Sequence, residues 1–145
     1  MEKLDRQILS LLARDGRMSY TDIGKSTGLS TSAAQQRVRK LEQRGVITGY
    51  RADISSSALG LMLTAFIEVK PFFAEQPDDT PELLSDIEQI VSCYSVAGEA
   101  NYLLKVQVSS AAELEDLLAV IRSKGKVSTH TTVVLSIPYE ERPVV

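Results

Sequence analysis

TDIGKSTGLSTSAAQQRVRKLEQRGVITGY, residues 21–50, reads as helix, tight turn, second helix and then a short strand. Gly28 sits in the turn, where a residue without a β-carbon can take the left-handed conformation. Leu29 follows as an apolar plug, and Ser30 stands where an N-cap belongs, its hydroxyl placed for free backbone N–H groups of the next turn. Ala34, Val38 and Leu41 then recur at spacings of four and three, so they share one helix face. The opposite face holds Ser32, Gln36, Arg39 and Gln43, flanked by Arg37 and Lys40. A helix with a small apolar stripe and a long-armed, cationic, amide-rich exterior suits a DNA major groove, where Arg reads guanine and Gln reads adenine. Gly45 ends this helix, and a strand is expected over 46–54.

Upstream, Leu4, Ile8, Leu11 and Leu12 form an amphipathic stripe that predicts a helix over 3–15, closed by Asp15-Gly16. A shorter helix is expected over 20–27 with Ile23 inward. Gly24 costs about 1 kcal/mol there against alanine, a price consistent with close helix–helix approach. The first unit is thus a helix-turn-helix over 1–54, and SSSALG at 55–60 reads as a hinge.

Composition bounds the rest. Hydrophobic residues make up 43% of the 145, enough for a real core, and no run approaches the roughly 20 apolar residues of a membrane span. Met1 leads directly into charged, helical sequence, not a signal peptide. The lone Cys93 allows no internal disulfide and no multi-cysteine metal site, which fits a reducing cytoplasm. His130 is the only histidine, so no metal or cofactor site is expected. Ser95 and the hinge serines have no base nearby in sequence, so nucleophilic catalysis has no support and no enzyme is expected. The net charge of −3 conceals a split. Residues 1–54 hold ten Lys/Arg against six Asp/Glu, a net of +4, whereas residues 55–145 hold six against thirteen, a net of −7. A basic front and an acidic back are expected where only the front meets phosphates.

The second unit, 61–145, has a clear rhythm. Residues 61–70 alternate as a strand with Leu61, Leu63, Ala65, Ile67 and Val69 on one face. A long loop, acidic at its end, covers 71–80. A helix is expected over 81–90, strands over 91–98 and 102–109 around the turn GEAN, a helix over 111–123 and a last strand over 127–137. The order βαββαβ packs as a four-stranded antiparallel sheet with both helices on one face. The bare face, with Met62, Thr64 and Phe66, is half apolar, and burying it against a second copy is the simplest remedy. A homodimer would carry two recognition helices for half-sites about 34 Å apart.

Three stretches give the chain a familial look: LDRQILSLLARDGRMSYTDIGKSTGLS, QQRVRKLEQRGVITGYRADI, and GEANYLLKV followed by THTTVVL. It resembles the leucine-responsive/asparagine-responsive (Lrp/AsnC) regulators of bacteria and archaea over nearly its whole length. The resemblance implies an α+β protein, a winged helix-turn-helix head plus a ferredoxin-like βαββαβ domain. It also implies dimers that assemble further, often to octamers, with an amino-acid effector held where dimers meet. On this sequence the DNA set is Arg17, Lys25, Thr31, Ser32, Ala33, Gln35, Gln36, Arg37, Arg39, Lys40 and Arg44, with Arg17, Lys25 and Arg44 gripping phosphates. The effector set is Gly98, Glu99, Ala100, Asn101 and Tyr102, facing Thr129, His130, Thr131 and Thr132. Free N–H groups of a turn suit an α-carboxylate, and side-chain oxygens suit an α-ammonium. Many relatives carry Asp where Asn101 stands, and the loop around 76–80 is not general to the family.

Two other readings share these features. An architectural protein coating DNA without an effector would need the same head. A siroheme-decarboxylase-like enzyme resembles the same two-domain build, although one histidine and an acidic second half suit a bulky polyanion poorly.

Overall fold

The computed structural model describes residues 1–145. They form two compact units: Met1–Asp53 together with Tyr139–Val145, and Ile54–Pro138. The sequence division kept residues 139–145 with the sheet; in the structure they group with the helices.

The first unit, the head, has helices α1 (Lys3–Arg14), α2 (Tyr20–Thr27) and α3 (Thr31–Gln43). Ser19 and Ser30 cap α2 and α3, their hydroxyls accepting from the N–H groups of Asp22 and Ala33. Each satisfies one donor that a helix start leaves orphaned. Gly28, at φ 75°, ends α2 in the left-handed region. Ile8, Ile23, Ala34, Val38 and Leu41 form the buried core. Gly24 is buried where α2 meets the turn, and a β-carbon there would stand 2.5 Å from the Leu29 carbonyl oxygen. Close approach is therefore the reason for this glycine.

The strand expected over 46–54 does not form. The N–H groups of Val46 and Ile47 both turn back to the Leu41 carbonyl, at 2.9 and 3.1 Å, and close α3. The head holds no second strand for residues 48–53 to pair with, so β-propensity alone leaves them without regular structure. No wing is present in the head.

The second unit carries β1 (Leu63–Pro71), α4 (Thr80–Leu84), β2 (Ile90–Ser95), β3 (Tyr102–Val108), α5 (Ala111–Gly125) and β4 (Val127–Val133). The sheet is antiparallel throughout, in the order β2-β3-β1-β4. Ala65, Ile67 and Val69 of β1, Leu104 and Val106 of β3, and Leu84, Leu117 and Ile121 of the helices share one core. Phe66, Glu68, Leu103, Lys105, His130 and Thr132 alternate with these core residues and so lie on the face away from α4 and α5.

Three elements end well short of their expected bounds. The helix over 81–90 stops at Leu84, because Ser85 donates its hydroxyl to the Glu82 carbonyl at 2.8 Å and competes for a helix acceptor. The strand over 91–98 ends at Ser95, where the hairpin turn begins. The strand over 127–137 ends at Val133, paired with Ala65, with one last bond from the Val134 N–H to the Thr64 carbonyl at 2.9 Å. The expected hinge is also ordered. Ser57–Leu59 make a 3-10 turn closed by Gly60 at φ 77°, and Ser56 donates to Gln107 of β3 at 2.7 Å.

Candidate nucleic-acid interface and effector region

On α3, the residues expected to face DNA separate into three groups. Thr31, Ser32, Gln36, Arg39, Lys40 and Arg44 are exposed, and Ala33 and Gln35 are half-buried. Thr31 also lies 3.3 Å, oxygen to oxygen, from the Thr21 hydroxyl of α2. Arg17 and Lys25 are exposed on the same unit.

Arg37 stands apart. Its guanidinium donates to Asp5 at 2.9 Å and to Glu2 at 3.0 Å. The bond to Asp5 first, then that to Glu2, raises its pKa above the ordinary value. Its charge is engaged within the head, which sets it apart from the exposed cations of the same helix. Glu42, three residues beyond Arg39 on the same helix, accepts the Tyr50 hydroxyl at 3.0 Å. Burial, then that hydrogen bond, pushes the Tyr50 phenol up to about 12. Arg39 is thereby left facing solvent, which suits a base or phosphate contact.

In the second unit the expected effector residues lie at one end of the sheet. Val69 of β1 pairs with Tyr102 on one side and Thr129 on the other, so both flank it on the helix-covered face. Thr131 shares that face. The turn residues Gly98, Glu99 and Asn101 are exposed, and the Asn101 N–H donates to the Val69 carbonyl at 3.0 Å. His130 does not join them. Side chains alternate along a strand, so it lies on the bare face, 3.2 Å from Glu68. Thr132 lies there too, paired with Phe66.

Sequence reasoning missed what stands beside this region. A groove of about 670 Å³ is lined by Phe72, Phe73, Gln76, Asp79, Arg122 and Lys126, among others. One wall residue, Arg122, and the loop residue Asp78 between the walls Pro77 and Asp79 are tied to the expected effector residues. Tyr102 donates its hydroxyl to Asp78 at 2.6 Å, and Arg122 donates to the Thr129 hydroxyl at 3.3 Å. The bond to Asp78, then burial, pushes the Tyr102 phenol up to about 12. Gln76 accepts from the Phe73 N–H and donates to the Lys126 carbonyl, at 2.9 and 3.0 Å. Lys126 follows α5 at φ 54°, in the left-handed region. Apolar walls with a few convergent polar groups, in a volume of this size, describe a small-molecule site. The adjacent Phe72-Phe73 in an otherwise acidic loop was the one available signal.

No group of His, Cys, Asp or Glu is arranged to hold a metal ion, and no helix is long and apolar enough to cross a membrane.

Comparison with known proteins bears on both units. Residues 1–42 match the AsnC-type helix-turn-helix domain and residues 64–144 the Lrp/AsnC ligand binding domain. The HTH-type transcriptional regulator LrpA of Mycobacterium tuberculosis is 46% identical over 142 residues, covering 98% of this chain and 95% of that protein. A feast or famine regulatory protein from M. tuberculosis, solved in complex with L-methionine, superposes with a TM-score of 0.93 at 46% identity, covering 98% and 97% of the two chains. Escherichia coli AsnC superposes with a TM-score of 0.87 at 30% identity, covering 99% and 97%. These relatives are regulators with a helix-turn-helix and a ligand-binding domain, which indicates a non-enzymatic regulator and favours it over the decarboxylase alternative.

Proposed function

The chain belongs to the Lrp/AsnC family of transcriptional regulators, and from that premise we propose that it is a sequence-specific, amino-acid-gated regulator of amino-acid metabolism genes, acting in the cytoplasm. The observation that carries this reading is the exposed face of α3. Thr31, Ser32, Gln36, Arg39, Lys40 and Arg44 project from a helix whose start is fixed by Ser30, on the unit that holds the positive charge. Gln and Arg side chains read base edges, and Arg17, Lys25 and Arg44 hold phosphates and set the register.

The bare sheet face joins two copies, and dimers assemble further, as far as an octamer. Burying Phe66 and Leu103 against their own counterparts removes an apolar patch that a lone subunit would show to water.

The effector is an amino acid and needs no other cofactor. Gly98 supports the position of its site. A β-carbon there would meet nothing within 4 Å, and its φ is not positive, so neither packing nor backbone strain explains the glycine. A backbone without a side chain there leaves room for close approach of a ligand or a second dimer. Glu99, Asn101, Tyr102, Thr129 and Thr131 complete the region. The neighbouring groove offers Arg122 and Lys126 to a carboxylate and Phe72 and Phe73 to an apolar side chain. The relative solved with L-methionine makes apolar amino acids the first to try. Binding changes DNA affinity only as far as the ligand prefers one assembly over another.

Capture of genomic fragments with and without a pool of amino acids, at stated salt, tests the reading. A small set of sites near amino-acid genes, altered by the pool, is expected. Uniform retention that no amino acid changes would favour the architectural alternative.

A further inference from the structure

The two units are joined by the chain twice. It leaves the head between Asp53 and Ile54 and returns to it between Pro138 and Tyr139. A groove of about 500 Å³ on the head receives the returning segment. Its walls include Leu9 and Leu12 of α1 and Val46 and Ile47 beyond α3, and Val144 and Val145 line it too. Leu9, Leu12, Val46 and Ile47 pack on the head core while remaining partly open to water. Val145 is 41% exposed where its neighbour Val144 is fully exposed, so Val145 is the seated one of the two. The segment has order of its own, with the Arg142 guanidinium 3.8 Å over the Tyr139 ring.

We propose that residues 139–145 are a docking segment for the α1 groove of the head, and that this second junction makes β4 and the head one mechanical path. Only residues 134–138 separate the end of β4 from the segment. Five residues reach at most roughly 17 Å when fully extended. A displacement of β4 that exceeds the slack pulls on the segment, and either the segment shifts in its seat or the head follows. The seat is shallow, with every residue of the segment exposed to a large degree, so docking is weak and reversible. That is the property a signalling contact needs, since elements that move are drawn from the low-stability end of a structure. β4 also carries Thr129, which Arg122 of the candidate groove holds. A ligand that shifts β4 would pull on the segment, release α1 and the end of α3, and so alter the helix that meets DNA. The docking half of this proposal stands on geometry alone; the signalling half rests on the amino-acid reading above.

The test uses the full chain, a chain ending at Pro138, and Val145→Asp, which puts a charge into the seat without shortening the chain. Amide hydrogen exchange is followed in all three. Several-fold faster exchange at residues 9–13 and 46–50 in both variants is expected, with the strands unchanged. A synthetic peptide of residues 134–145 added to the shortened chain should restore the slower rate. Unchanged exchange at those residues would overturn docking. DNA affinity is then measured with single amino acids, alongside the thermal shift each produces. An amino acid that stabilises both chains but changes DNA affinity only of the full one supports the path. Equal changes in both overturn it. If no amino acid shifts the full chain at all, the effector reading and the signalling half fall together, and the exchange result decides docking by itself.

Discussion

Arg37 of α3 donates to Asp5 of α1 across 2.9 Å, and Asp5 is the only charged residue of the chain that is buried. The pair staples the recognition helix to the first helix. A carboxylate so placed is tolerated because a guanidinium answers it, and removing the partner leaves an uncompensated charge. Two cations two residues apart on one helix therefore have different duties.

Arg37→Met and Arg39→Ala should separate those duties. Arg39→Ala is expected to leave the melting temperature unchanged and to reduce the slope of log affinity against log salt by about 1, or to relax base preference at one position. Arg37→Met is expected to lower the melting temperature of the head and leave the salt slope as it was. Fluorescence anisotropy over a salt series with calorimetry reads both. A reduced salt slope in Arg37→Met at unchanged stability would return Arg37 to the DNA face.

Gly24→Ala sets helix propensity against packing. Propensity alone favours alanine by about 1 kcal/mol. The new methyl would stand 2.5 Å from the Leu29 carbonyl, a backbone atom that cannot swing aside. Overpacking of this kind costs about 1–3 kcal/mol, so a net loss of stability is expected in urea unfolding, with weaker DNA binding as the turn before α3 shifts. A gain in stability would mean the turn yields freely.

Tyr102 gives a pH dependence with a definite sign. Its folded-state pKa of about 12 lies above the unfolded value near 10. The stabilisation from Asp78 is therefore fully present below pH 10 and is lost as pH rises through about 12. Asp78→Asn should bring the phenolate absorbance of Tyr102 to lower pH, with Tyr102→Phe identifying the signal. No movement in Asp78→Asn would mean that burial, and not the hydrogen bond, holds the phenol up.

Phe66 lies between Lys105 and Thr132 on the uncovered sheet face. Phe66→Arg places like charge beside Lys105 in each subunit of a face-to-face pair. Sedimentation should show monomers, and DNA affinity should fall because two linked heads become one. An unchanged dimer would place the joining surface elsewhere.

Much of this was legible in sequence, for a local reason. The stripe of Ala34, Val38 and Leu41 and the alternation through Ala65, Ile67 and Val69 depend only on spacing within one element, and all six residues are buried. What failed depends on distant partners. Arg37 looked like its neighbours because Asp5 is 32 residues away. The segment over 46–54 has strand character but no strand to join. The run 129–132 was read as one surface, yet a period of two sends Thr129 and Thr131 to one side and His130 and Thr132 to the other. The groove beside Tyr102 escaped because its walls, Phe73 and Arg122, lie 49 residues apart.

Lys126 shows what the chain concedes to that groove. A lysine at φ 54° gives up roughly 1 kcal/mol that glycine would keep at the end of a helix. Glycine there would make a sturdier domain with one cation fewer beside Phe72 and Phe73. Variation at this position therefore moves along a trade-off, robustness against recognition, and any homologue that relaxes the helix end gives up a charge at the mouth of the groove.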